Sequence, residues 1–163
     1  VFPFTFYNPT RILFGRGTTR KIGQATAPYG RRVLLLSGQG SARRSGLLDR
    51  VEASLRAAAV DWVPLPGVRP NPTLGFAREA VERFRRERLD AIVAVGGGSV
   101  IDTAKAIAAG VKYSGDLWDF FIGAADVEEA VPVTTVLTLA ATGSEMNGGG
   151  VLTNEATKEK LHL

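Results

Sequence analysis

Ala91-Ile92-Val93-Ala94-Val95-Gly96-Gly97-Gly98-Ser99-Val100-Ile101-Asp102-Thr103-Ala104-Lys105 decides the fold. Its first five residues are apolar without a break, as in a strand buried on both faces. Three glycines follow, and apolar residues then return at helical spacing as Ile101, Ala104, Ile107 and Ala108. Glycines between a buried strand and a helix let the backbone approach a ligand and aim its amides there. The helix start adds partial positive charge, so a phosphate or pyrophosphate is the natural occupant. The pattern is not G-x-G-x-x-G, because Ile101 holds the last position, and no Gly-Lys-Ser/Thr follows as in a P-loop. A plainer reading stands beside it: Ser99 and Asp102 have capping-box spacing, and Lys105 can pair with Asp102 at i+3. Capping alone does not call for three consecutive glycines.

The same alternation extends in both directions. Val33 to Leu36 predicts a second buried strand, entering Ser37-Gly38-Gln39-Gly40-Ser41. Before it, a helix is expected from Thr18 or Thr19 to about Ala27, stopped by Pro28 and Gly30. After it, Leu47, Leu48, Val51, Leu55 and Ala58 mark a helix, and Val60 to Leu65 a strand that Pro64 and Pro66 push to a sheet edge. Pro70-Asn71-Pro72 must be loop, with Thr73 able to cap a helix through Phe76, Ala80 and Phe84. On that helix Glu79/Arg83 and Glu82/Arg86 are expected i,i+4 ion pairs on a solvated face. Residues 113 to 122 read as irregular, Val131 to Leu137 as another buried strand, and the end as a hairpin or extended arm. Strand and helix alternating with short loops predict an α/β fold, a parallel sheet with helices on both faces. Ligands of such sheets lie beyond the carboxyl ends of the strands, where Ser37 to Ser41, Gly96 to Ser99 and Thr138 to Ser144 fall.

Composition narrows the chemistry. The 163 residues contain no cysteine and one histidine, His162. That excludes a disulfide framework or thiolate nucleophile and leaves no His-based metal site or Ser-His-Asp triad within this sequence. The net charge of +4 is compatible with an anionic ligand, but no nucleic-acid-binding signature accompanies it. No apolar stretch reaches membrane-spanning length and no signal peptide is evident, so a soluble, cytoplasmic protein is expected, without nucleic-acid or membrane partners.

Gly96-Gly97-Gly98-Ser99-x-x-Asp102-x-x-Lys105 resembles the nucleotide-binding signature of the iron-containing (group III) alcohol dehydrogenase family. Pro70-Asn71-Pro72, Gly115-Asp116-Leu117-Trp118-Asp119-Phe120 and Thr138-Leu139-Ala140-Ala141-Thr142-Gly143-Ser144-Glu145 resemble family motifs in the same order. The butanol dehydrogenase and NADPH-dependent aldehyde reductase branch is the most similar. The resemblance implies a Rossmann-like dinucleotide-binding domain over residues 1–163, with a β-hairpin element at each end, the first over Asn8 to Gly15. It implies that Gly97, Gly98 and Ser99 hold the pyrophosphate of NAD(P) and that Asp102 lies near the nicotinamide end. Thr138 and Thr142 would contact ribose and phosphate groups, Asn71 would line the cleft, and Lys160 would reach the nicotinamide ribose. Helix capping for the threonines, a turn role for Asn71 and a solvated Lys160 are the plainer alternatives.

Family members that prefer NAD resemble one another in an Asp after the first buried strand, where it accepts from the adenosine 2′-hydroxyl. Here Gly38, Gln39, Gly40 and Ser41 stand at that place, followed by Arg43 and Arg44. With no acid and two arginines, NADP(H) is expected over NAD(H). The resemblance also implies a second, all-helical domain with the ligands for Fe2+ or Zn2+, which this sequence stops before. The isolated domain is therefore expected to be inactive toward small alcohols and aldehydes. The alternatives are a stand-alone nucleotide-binding or assembly module without catalysis, or a glycerol dehydrogenase or dehydroquinate synthase relative, against which the Thr138 to Glu145 stretch argues. Apolar surface left bare would promote homo-oligomers, through Val1 to Phe14 as an added strand.

Overall fold

The structure, a computed structural model, describes residues 3–5, 7–141 and 143–163. Four parallel strands form one sheet in the order β2-β1-β3-β4. They are β1 (Arg32–Gly38), β2 (Asp61–Val68), β3 (Ala91–Gly96) and β4 (Val133–Leu137). The buried runs form the centre: Leu34 pairs with Ile92 and Leu36 with Ala94. Pro64 and Pro66 lie in β2 at one edge, as expected of residues without an amide.

The side chains of the central strands alternate between two cores. Leu34, Leu36, Ile92 and Ala94 face α4 (Leu74–Arg86) and α5 (Gly98–Lys112). Val33, Leu35, Ala91, Val93 and Val95 face the opposite layer, which includes Ile22, Val51 and Leu55 of α1 (Ile22–Thr26) and α3 (Leu47–Ala57). Each fully buried Leu or Ile removes enough apolar surface from water to contribute about 1.5–3 kcal/mol. The sheet is thus covered on both sides. Single-turn helix α2 (Ser41–Arg44) joins β1 to α3. A short 3-10 turn, Leu117–Phe120, is closed by a capping box in which Asp116 and Asp119 exchange hydrogen bonds with each other's backbone.

The chain ends in an antiparallel hairpin, β5 (Val151–Asn154) and β6 (Glu159–His162), as the sequence suggested. Thr153 donates its amide to Pro72 O, and the Glu155 carboxylate accepts from the Gly75 amide at the start of α4. That contact holds the Glu155 carboxyl below its ordinary value, since the backbone hydrogen bond favours the ionised form. Thr73 occupies the N-cap position of α4 without a side-chain cap, so a residue 80 positions away supplies the anion at this helix start.

Two expectations are corrected. Among the described residues, 3–14 contain no strand, so the N-terminal hairpin does not form. Paired backbone is what defines a strand, and among the described residues this segment's backbone has no ladder partner. The expected Glu79/Arg83 and Glu82/Arg86 pairs are also replaced. Arg85 reaches Glu82 at 3.4 Å and caps α5 through the carbonyls of Gly110 and Tyr113, while Arg78 grips Asp116 with two hydrogen bonds. Capping a helix end satisfies carbonyls that would otherwise lack a partner, which an exposed ion pair does not.

Candidate functional site

The strand order reverses direction between β1 and β3, because β1 continues outward to β2 on one side and β3 to β4 on the other. The crevice beyond the carboxyl ends of these strands is where open α/β sheets bind ligands. The loops after β1, β3 and β4 converge there. A Cβ on Gly38 would lie 3.8 Å from Val100 Cγ2, and one on Gly97 3.7 Å from Leu139 Cβ. Thr138 donates its amide to Gly96 O over 3.0 Å, keeping the β4 loop beside the glycines.

Helix α5 begins within the glycine run, with Gly97 as N-cap and no side-chain cap. The capping box suggested by Ser99 and Asp102 is therefore absent, because the helix starts one residue before Ser99 and Ser99 already lies in its first turn. The amides of a helix's first turn have no intrahelical acceptor. Here neither a side chain nor a Cβ at 97 or 98 covers them, which suits an anion with several oxygens. A dinucleotide's pyrophosphate fits this cradle.

Asp102 faces the loop after β4 and the start of β5. Its Oδ1 accepts from Ser144 Oγ and its Oδ2 from the Val151 amide at 3.2 Å. Lys105 lies 3.8 Å from the same carboxylate, the i+3 pair that spacing allowed. Lys105 also extends to four oxygens of the 144–149 loop: Ser144 O at 2.9 Å, Asn147 O at 3.2 Å, Asn147 Oδ1 at 2.9 Å, and Gly149 O. Burial lowers its pKa below the ordinary lysine value, while Asp102 and Glu145 oppose that shift.

On the β1 side Gln39 and Ser41 are exposed, and Gly40 holds φ 134° at the start of α2, a conformation that favours glycine. Arg43 turns away from the crevice loop to Asp49 at 2.7 Å and Glu52 at 2.5 Å. Arg44 has no carboxylate partner among the described residues, and its Nη1 would lie 3.0 Å from a Cβ on Gly40. Asn71 and Lys160 meet on the other flank, Nζ to Oδ1 at 2.8 Å. Thr138 is exposed at the strand end, and Thr142 lies outside the described residues.

The structure thus gathers Gly38 to Ser41, Gly97 to Ser99 and Thr138 at one end of the sheet and joins Asn71 to Lys160. Ser144, Asn147 and Glu155 enter through long-range contacts that sequence reasoning missed. Only Ser144, inside a quoted motif, carried any signal. His162 is exposed on β6, and among the described residues no three His, Cys, Asp or Glu converge on a common point. These residues do not fit a catalytic metal.

A parallel sheet covered by helices, with a glycine-opened helix start at its switch point, defines a Rossmann-like α/β fold. The comparisons fix which kind. The model of the family "Iron-containing alcohol dehydrogenase" matches residues 9–163, and the chain belongs to that family. It is 50% identical over 157 residues to the probable NADH-dependent butanol dehydrogenase 1 of Bacillus subtilis, covering 96% of this chain and 41% of that one. It is 38% identical to the NADPH-dependent aldehyde reductase of Escherichia coli over 96% of this chain and 41% of that one. The crystal structure of NADH-dependent butanol dehydrogenase A from Thermotoga maritima superposes with a TM-score of 0.97 at 51% identity, covering 99% of this chain and 41% of that one. The chain therefore spans about two fifths of the length of these relatives. It is related to alcohol dehydrogenases and aldehyde reductases, and no helix among the described residues is long and apolar enough to cross a membrane.

Proposed function

We propose that residues 1–163 are the dinucleotide-binding domain of a metal-dependent alcohol dehydrogenase or aldehyde reductase acting on a small alcohol or aldehyde in the cytoplasm. The observation that carries this reading is the uncapped start of α5, opened by Gly97 and Gly98 at the sheet's switch point. Gly97, Gly98 and Ser99 hold the pyrophosphate, and Thr138 and Thr142 contact the adjoining ribose and phosphate groups. Asn71, Asp102 and Lys160 flank the nicotinamide end. The nicotinamide supplies or accepts hydride. Fe2+ or Zn2+, which would polarise the substrate oxygen, is held by residues outside this set, so these 163 residues alone bind cofactor weakly or not at all and turn over no alcohol.

NADP(H) is preferred over NAD(H). The β1 loop carries no carboxylate to repel a 2′-phosphate, and Ser41 with Arg44 can receive one by charge-assisted hydrogen bonds. Arg43, engaged by Asp49 and Glu52, gives this role to Arg44. The relatives' names divide between NADH and NADPH, so a direct titration is the test. NADPH should bind the full chain more tightly than NADH. Tighter NADH binding overturns the preference, and no binding of either overturns the function.

Self-association through the N-terminal arm belongs to the same proposal. Phe14 is 97% exposed and Phe4 and Tyr7 are each 83% exposed, leaving apolar rings without cover. Light scattering tests it, and a monodisperse monomer would count against it.

A further inference from the structure

We infer that Lys105 is a positioning residue for the cofactor site: its ammonium clamps the 144–149 segment onto α5 and so steadies the loop that follows Thr138. The inference rests on the function proposed above and adds a residue to which that reading gave no part.

The geometry is specific. Lys105 lies two turns into α5, downstream of the glycine cradle, and its Nζ reaches across to the neighbouring loop. An ammonium has three protons and no acceptor. Here they are shared over Ser144 O, Asn147 O, Asn147 Oδ1 and Gly149 O, all from one stretch of six residues. Beyond these bonds, Asn8 Nδ2 donates to Met146 O over 2.8 Å and Asn147 Nδ2 to Gly143 O over 3.0 Å. The stretch holds one 3-10 turn, Ser144–Met146, whose N-cap Gly143 has a left-handed φ of 69°. Asp102 completes the attachment one helical turn earlier, by accepting from Ser144 Oγ and the Val151 amide. A Cβ on Gly150 would lie 3.2 Å from Asp102 O, so the loop runs close against the helix. The same helix therefore presents its amides to the pyrophosphate at one end and holds the flanking loop one turn later.

A neutral side chain cannot do this. Replacing the ammonium leaves the part-buried carbonyl oxygens of Ser144 and Gly149 without this donor, and the loop must move to find water. The charged groups facing Nζ are Asp102 from its own helix and Glu145 from the loop, both favouring the protonated form. Burial acts against them and brings deprotonation below the ordinary lysine range. The clamp accordingly weakens on the alkaline side, when one donor and the charge are lost together.

The experiment compares the wild-type full chain with Lys105→Met and Lys105→Gln. Hydrogen exchange without cofactor reads the clamp, and NADPH titration from neutral to alkaline pH reads its effect on the site. The amides of 143–151 should exchange at least about tenfold faster in both variants, while those of β1 and β3 keep their protection. NADPH should bind at least about tenfold more weakly, and the alkaline fall in affinity seen in the wild type should be absent from the variants. Unchanged loop protection overturns the clamp. Lost protection with wild-type affinity, or an alkaline fall retained in the variants, overturns its role at the site. If Lys105→Met does not fold, the Lys105→Gln variant, which keeps a neutral donor, gives the same readings. Failure of the wild type to bind any dinucleotide would overturn the proposed function instead, and the exchange data would still judge the clamp.

Discussion

Lys160 donates from the terminal hairpin to Asn71 Oδ1 over 2.8 Å, and Asn71 holds a left-handed φ of 55° where it receives that bond. The turn reading of Asn71 fits that φ and Lys160 is exposed, but neither reading foretold the bond between them. The two residues fasten the hairpin across the loop between β2 and α4, beside the Thr153–Pro72 and Glu155–Gly75 contacts. Backbone strain at Asn71 can be separated from its side-chain bond. Asn71→Ala should destabilise the fold by about 1–2 kcal/mol, because alanine keeps the β-carbon strain of the left-handed region and loses the short polar side chain that lets asparagine tolerate it. Asn71→Gly loses the same bond without that strain and should recover most of the difference. Urea unfolding of both variants checks this; equal losses would mean that the conformation carries no cost.

Gly97 has φ −90°, which any residue adopts, and a Cβ there meets only Leu139 Cβ at 3.7 Å. Gly97→Ala should therefore unfold at the wild-type urea concentration. It should nevertheless bind NADPH about tenfold more weakly, since the methyl group crowds the amides offered to the phosphates. Wild-type affinity in a folded Gly97→Ala protein would remove the cradle from the proposed site.

The two arginines of the β1 loop should separate cleanly. Arg44→Ala is expected to cut NADPH affinity several-fold and leave NADH binding unchanged, as loss of one exposed charge-assisted contact to a 2′-phosphate would. Arg43→Ala should alter neither, because its guanidinium is spent on Asp49 and Glu52. Titrating both cofactors against each variant decides it; a loss of NADPH affinity confined to Arg43→Ala would reverse the assignment.

Glu155 gives a pH dependence with a definite sign. Its folded pKa is lowered, so its contribution is present above the ordinary glutamate value and disappears as pH falls through the folded one. Glu155→Gln should cost about 0.5 kcal/mol at neutral pH, a figure kept small because the group is mostly exposed. The gap from wild type should close in acid. Parallel denaturation curves from pH 7 down to pH 3 provide the check, and a gap that persists at the acid end would contradict it.

Gly23 sets a steric limit between helices. A Cβ at this position would lie 2.0 Å from Ser54 O, while Ser54 Oγ accepts from the Gly23 amide and donates to Arg20 O. Gly23→Ala should destabilise by about 2–4 kcal/mol, since backbone must move to admit the methyl group. Thermal unfolding measures it. A shift within experimental scatter would mean that α1 can slide on α3 at no cost.

The layered fold was legible because each strand and helix declares itself locally. Val33 to Leu36 and Ala91 to Val95 are unbroken apolar runs, and Leu47, Val51 and Leu55 repeat at helical spacing. The glycine cradle was legible for the same reason, since Gly96-Gly97-Gly98 has few uses between a strand and a helix. Contacts between distant residues left no such trace. No local pattern tells that Glu155 takes the start of α4, that Lys105 reaches residues 144 to 149, or that Asp49 and Glu52 claim Arg43. The N-terminal hairpin was implied by the resemblance and by no local pattern, and a strand exists only beside a partner. Charge pairing on α4 misled because Glu82 meets Arg85 at i+3 rather than Arg86 at i+4, and Arg85 also reaches the open carbonyls at the end of α5.

The two borders of the sheet are chemically unequal. Pro64 and Pro66 are two residues apart and so remove amides from one side of β2, whose other side is occupied by β1. That border offers an incomplete row of donors and resists lengthening by another strand. Val133 to Leu137 on the opposite border include no proline and pair only with β3 among the described residues. The sheet can therefore grow in one direction only. Any added strand, from the same polypeptide or another, is steered to β4 and away from the prolines.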